Sequence, residues 1–227
     1  MQKKRFLFIV IWMSLYGVSQ KDIAKEIDTL YREDQVYFGV SYNALIDAPE
    51  ALAQNSFSPG ITLGLIRDFP INQNRNLAIG FGIGYTIDSY SQNLKITPNA
   101  WGNFDYQFVV NTSFQKNRLT YHTLDIPLEF RWRTSTPERY KFWRIYTGLK
   151  ASYITTSKAL FESPTETFSL KDLDLKQWQF GLTLSAGYNN WNGYLYYGLT
   201  PLFEDANVDD STLEIKPLKI GLIFYFL

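Results

Sequence analysis

The sequence predicts an all-β protein, an eight-stranded antiparallel up-and-down barrel that crosses a membrane. Three observations predict it. Apolar residues recur at every second position in segments spread along the chain, these segments number eight, and the links between them alternate strictly between short and long. Composition fits the same picture. The chain has 227 residues, of which 17% are aromatic, yet its mean hydropathy is negative, as expected of a protein with one apolar and one polar surface.

The chain opens on a different pattern. Lys3-Lys4-Arg5 is a positive stretch, Phe6 to Tyr16 is apolar except for Ser14, and Gly17-Val18-Ser19 is small. That is the layout of a cleaved secretory leader over residues 1–19. About eleven apolar residues fall short of the roughly 20 that a spanning helix needs. Residues 20–34 carry Ile23, Ile27, Leu30 and Tyr31 at helical spacing, which predicts a short periplasmic helical segment before a barrel over 35–227.

Alternation then takes over, in segments at about 35–43, 58–68, 76–89, 121–134, 143–156, 177–189, 192–201 and 216–227. The third is the clearest. Leu77, Ile79, Phe81, Ile83, Tyr85 and Ile87 take one face, and Ala78, Gly80, Gly82, Gly84 and Thr86 the other. The sixth opposes Trp178, Phe180, Leu182, Leu184, Ala186 and Tyr188 to Gln179, Gly181, Thr183, Ser185 and Gly187. In the fourth, Leu124, Ile126, Leu128, Phe130 and Trp132 alternate with Asp125, Pro127, Glu129, Arg131 and Arg133.

The connections carry independent information. Those at 70–75, 135–142 and 190–191 are short, whereas 44–57, 90–120, 157–176 and 202–215 are long. An outer-membrane barrel with both termini in the periplasm has short periplasmic turns and long extracellular loops. A soluble sandwich has no reason to sort its loops this way. A narrow interior favours the small and charged face, and lipid accepts the bulky one, so the apolar half of each strand should face acyl chains. Tyr42, Tyr85, Tyr90, Trp132, Trp143, Trp178, Tyr188 and Trp191 are the candidates for interfacial aromatic girdles.

The inward set then includes Tyr37, Asp68, Asp125, Glu129, Arg131, Arg133, Tyr146, Lys150, Tyr194, Tyr196, Lys219 and Tyr225. Charges of both signs in so narrow a space should pair, because an unpaired buried ion costs several kcal/mol. The expected pairs are Glu129 with Lys150, and Asp125 or Asp68 with Arg131, Arg133 or Lys219. A structural plug of ion pairs is favoured over a conduit for small ions, since side chains nearly fill an eight-stranded barrel.

Other chemistry finds little support. Lys+Arg and Asp+Glu are both 22, so no basic excess points to nucleic acid. There is no cysteine, which removes thiolate chemistry and disulfides. His122 is the only histidine, and three residues of strand put it on the opposite face from Asp125, so the two cannot act as base and orienting carboxylate. An acidic stretch, Asp205-Ala206-Asn207-Val208-Asp209-Asp210, begins like a calcium loop. It fails at the sixth position, Asp210, and at the twelfth, Lys216. No cofactor is expected. The long loop 90–120 carries Trp101, Phe104, Tyr106, Phe108, Val109 and Val110, which need cover. Either the loop packs on itself or it docks a partner, and any docking should map to Trp101, Phe104, Tyr106 and Phe108.

Several strings, REDQVYFGVSYN (32–43), SPGITLGLIRDFPIN (58–72), LDIPLEFRWRTSTPE (124–138) and FWRIYTGLKASY (142–153), resemble the PorT-type outer-membrane β-barrel family of the Bacteroidota. The resemblance implies an eight-stranded outer-membrane barrel with no catalytic or cofactor residues. It also implies a structural or accessory task linked to type IX protein secretion or gliding, with partners among other outer-membrane or secretion-system proteins. A small-solute channel and an outer-rim enzyme are the alternatives.

Overall fold

The computed structural model of the chain describes residues 34–54, 56–110, 113–134, 142–208 and 211–226. The expected leader over 1–19 and the helical segment from 20 lie outside the described residues; Asp34, at that segment's end, instead opens the first strand.

Thirteen strands follow among the described residues: β1 Asp34–Ile46, β2 Pro59–Pro70, β3 Leu77–Ser91, β4 Leu94–Pro98, β5 Phe104–Phe108, β6 Lys116–Arg133, β7 Trp143–Glu162, β8 Thr167–Lys171, β9 Trp178–Tyr188, β10 Trp191–Gly198, β11 Asn207–Val208, β12 Ser211–Thr212 and β13 Lys216–Phe226. Eight of these run in the order β6-β3-β2-β1-β13-β10-β9-β7, and the β6–β7 pairing closes the sheet into a barrel. All its pairings are antiparallel. Closure leaves no edge in the barrel wall, so every backbone polar group in lipid has a partner strand beside it. One local gap is written in the sequence. The β3–β6 register passes from Phe81↔Leu128 to Gly84↔Asp125, skipping the place where Pro127 has no N–H to give.

The faces sort as alternation dictates. On β6, Leu124, Ile126, Leu128 and Phe130 are each 41–48% exposed, whereas Asp125, Glu129, Arg131 and Arg133 are at most 8% exposed. Outward aromatic side chains bound the apolar band, with Tyr42, Tyr85 and Trp178 near the long-loop end and Trp132, Trp143, Tyr188 and Trp191 near the short-turn end. From His122 to Trp132, ten residues at ~3.3 Å on a strand tilted ~40° give a band about 25 Å tall, the height a bilayer requires.

Tyr90 does not belong to those girdles. It is fully buried and stacked on Tyr121 at 5.7 Å, above the apolar band. The reason is that β3, β6 and β7 run past the band. A bulge at His122/Thr123, opposite Thr155, marks the change on the β6–β7 ladder. Above it β7 exchanges β9 for β8 as its neighbour.

Residues from the long connections converge there into the larger of two apolar clusters among the described residues. Leu94 and Ile96 come from one loop, Leu173 and Leu175 from the next, and Leu202, Phe203, Leu213 and Ile215 from the last, with Leu52 of the first loop packed alongside. The loops are therefore a folded cap, and the principal apolar core sits in this cap above the barrel. The short turn between β9 and β10 is Asn189–Asn190, with Asn189 at φ 57°, so Trp191 begins the next strand and is not part of the turn.

Truncating Phe203, 3% exposed in this core, should loosen the cap by about 3–5 kcal/mol. Phe203→Ala is expected to speed tryptic cleavage at loop lysines such as Lys95, Lys171 and Lys176. The heat-modifiable folded band on unheated gels should persist, since the barrel opens independently. A wild-type digestion pattern would refute the cap's role.

Candidate functional site

Two places concentrate side chains with functional potential: the barrel lumen and the tip of the loop cap. The lumen is built by parity. Every residue of the sequence-expected inward set is on the inner face, and all but the half-buried Tyr194 are at most 8% exposed.

Near the short-turn end, Asp68 bridges two guanidinium groups. Its Oδ1 accepts from Arg131 Nη1 at 2.5 Å and its Oδ2 from Arg133 Nη1 at 2.7 Å. Glu129 Oε2 accepts from Arg131 Nε at 3.0 Å, and the Gln35 carbonyl accepts from Arg131 at 3.2 Å. The Arg131 guanidinium also lies 4.0 Å from the Tyr146 ring centroid. Arg131 fits because Gly80, between Asp68 and Glu129 in the register, leaves its stem room that a Cβ would take.

In the middle of the lumen, Asp125 Oδ2 accepts from Lys150 at 3.2 Å and from Thr86 at 2.5 Å, and its Oδ1 accepts from Thr123 at 2.8 Å. Toward the cap, Lys219 pairs with Asp88, which also accepts from Asn43 Nδ2 at 2.9 Å. Tyr196 stands between the two lysines, 4.8 Å from Lys150 Nζ and 4.9 Å from Lys219 Nζ.

Three particulars differ from the sequence expectation. Glu129 does not pair with Lys150. It pairs with Arg131 on its own strand face, because Lys150 sits opposite Pro127 and reaches the carboxylate on the other side, Asp125. Asp88, the partner of Lys219, was missed, although it continues the inward parity of Gly80 to Thr86 by one step. Arg144 was missed as well, despite sharing parity with Tyr146 and Lys150. It is 4% exposed and directly opposite Arg133.

The arrangement packs the lumen with ion-paired side chains. It does not assemble a reactive dyad. His122 Nδ1 is hydrogen-bonded to the Tyr85 hydroxyl at 2.5 Å on the outer face, while Asp125 is held inside by Lys150 and two hydroxyls. Among the described residues no group of three or more His, Asp and Glu could hold a metal ion. Of the calcium-like stretch, Asp209 and Asp210 lie outside the described residues.

At the cap, the four residues singled out for docking separate. Phe104, Tyr106 and Phe108 are half-buried against the loop core, and Tyr106 meets Phe203 edge-on at 5.5 Å. Burial, with the Asp174 carboxylate as a lesser cause, pushes the Tyr106 phenol well above its usual range, so it stays neutral at any working pH. Trp101 alone projects, 87% exposed at the tip of the β4–β5 hairpin. The tip is ordered by its own sequence. Asn99 Oδ1 accepts from the backbone N–H groups of Trp101 and Asn103, both at 3.0 Å, and Gly102 takes the φ of +86° that a side chain would resist.

With the geometry in place, comparison with known proteins adds the following. The family model described as outer membrane protein beta-barrel domain matches residues 18–204. Among solved structures, the chain is similar to Ail, the attachment invasion locus protein of Yersinia pestis. The two share 12% identity over 86% of this chain and 98% of that one, with a TM-score of 0.38. No curated protein matches the chain.

Proposed function

The chain belongs to the outer membrane protein beta-barrel domain family, and from that premise we propose that it is a non-enzymatic accessory barrel that presents a rigid surface hairpin to a partner protein. In this reading both termini face the periplasm, the long loops face the cell exterior, and the partner belongs to a type IX secretion or gliding assembly. The observation that carries it is the contrast between the two ends of the molecule. Buried ion pairs occupy the lumen, which supports a plug over a conduit, whereas the cap presents Trp101, 87% exposed, on an ordered turn. An exposed, preorganised tryptophan is the kind of anchor that protein interfaces use. The sequence resemblance to the PorT-type family supports the choice of assembly, and the separation of His122 from Asp125 supports a non-enzymatic role.

The test is co-purification from detergent-solubilised outer membranes with tagged wild type and with Trp101→Ala. The wild type should bring down a secretion-system component, and Trp101→Ala should recover at least tenfold less of it at equal barrel yield. Recovery of the wild-type barrel alone, or unchanged recovery with the variant, would defeat the proposal.

A further inference from the structure

The lumen's charges do not balance at one end. Among the described residues nine Arg, Lys, Asp and Glu side chains are buried in the barrel: Arg131, Arg133, Arg144, Lys150 and Lys219 against Asp68, Asp88, Asp125 and Glu129. Lys150 and Lys219 have Asp125 and Asp88 to themselves. That leaves Asp68 and Glu129 for three guanidinium groups at the short-turn end. Both carboxylates are taken by Arg131 and Arg133. Arg144 has no carboxylate among the described residues. Its neighbours are rings: Phe142 at 4.6 Å, Tyr225 at 5.5 Å and Tyr146 at 5.8 Å.

The register sharpens the problem. Arg133 and Arg144 are cross-strand partners, and Arg131 and Tyr146 are the next inward pair. Like charges directly opposite repel, and more strongly away from water. Guanidinium cannot shed its proton to escape. Each of these four residues also has a buried donor without an acceptor: Arg131 Nη2, Arg133 Nη2, Arg144 Nε and the Tyr146 hydroxyl. They occupy the corners of one square on the β6–β7 ladder. Water would satisfy their hydrogen bonds but not the surplus positive charge.

We propose that this square, at the short-turn mouth of the lumen, binds a small tetrahedral oxoanion of phosphate type. A carboxylate offers two oxygens on one side, whereas a tetrahedral anion offers an acceptor to each of several converging donors. Arg144 supplies the charge that no carboxylate among the described residues matches. Tyr146 supplies a neutral donor, and Arg131 and Arg133 contribute the nitrogens that Asp68 and Glu129 leave over. The site is independent of the cap, so it stands or falls separately from the docking role.

The experiment titrates inorganic phosphate into the refolded full chain in a phosphate-free amine-oxide detergent, replacing sodium chloride at constant ionic strength and reading the phosphorus resonance. Saturable binding is expected for wild type and for Lys116→Gln, a variant at the far end of β6. Arg144→Gln should weaken it at least tenfold. Tyr146→Phe, which removes only the unpartnered hydroxyl, should weaken it several-fold without altering the urea midpoint in phosphate-free buffer, and so serves if Arg144→Gln does not fold. Acetate should not compete. No saturable binding by wild type, binding by Arg144→Gln and Tyr146→Phe equal to that of wild type, or full competition by acetate would overturn the proposal.

Discussion

Asp68→Asn is expected to destabilise the folded barrel by about 3–5 kcal/mol, the cost of breaking a buried ion pair by removing one partner. The Asp68 carboxylate has no exposed surface and is shared by Arg131 and Arg133, whose side chains are equally inaccessible. With it gone, Glu129 would face three guanidinium groups alone. The amide keeps the shape and one acceptor but not the charge, so the loss reads electrostatics and not packing. Urea unfolding in lipid vesicles, followed by tryptophan fluorescence, gives the midpoint directly. The control is Asp34→Asn, which breaks the Arg67–Asp34 pair at 3.3 Å, where the side chains are 57% and 74% exposed. A surface pair of that kind contributes about 0–1 kcal/mol. Equal midpoints for Asp68→Asn and wild type would mean that the lumen charges are solvated and the plug is not structural.

Leu128→Arg should cost about 2–4 kcal/mol in vesicles, the penalty for a cation near the bilayer midplane on the lipid face of a barrel. Leu128 is 48% exposed and sits at the centre of the Leu124–Trp132 stripe. In water an exposed Leu→Arg change would be close to neutral, since it buries nothing. The substitution therefore reads the solvent itself. Lys158→Arg, on the outer face of β7 above the apolar band, should leave the midpoint within about 0.5 kcal/mol, as surface changes ordinarily do. If Leu128→Arg behaves like Lys158→Arg, the apolar face does not meet lipid.

Much of the fold was legible because parity is a local property. Once Asp125 and Glu129 point inward, Arg131 and Arg133 must follow, and Leu128 between them must point out. Asp88 and Arg144 lie inside the expected third and fifth segments, so the same rule applied at every charged position there would have found both. The expected strand ends were set where the apolar stripe stops, but β3, β6 and β7 run on into the cap, where Tyr90 and Tyr121 are buried. The placement of Tyr90 in a girdle failed for that reason. A tyrosine just beyond a lipid-facing stripe reads as interfacial unless the chain is known to continue as strand under a second core.

The sequence by itself determined that this chain alternates, that it does so eight times, and which half of each strand is greasy, because backbone geometry sends neighbouring side chains to opposite faces whatever lies around them. Only the tertiary structure decided which charges meet, as with Glu129 choosing Arg131 and Lys150 choosing Asp125. It alone revealed that Leu52, Leu94, Leu173 and Leu202, scattered over the long loops, share one core. Partners across a closed sheet depend on the stagger of every strand around the ring, and a loop's neighbours depend on where that ring brings the strand ends together.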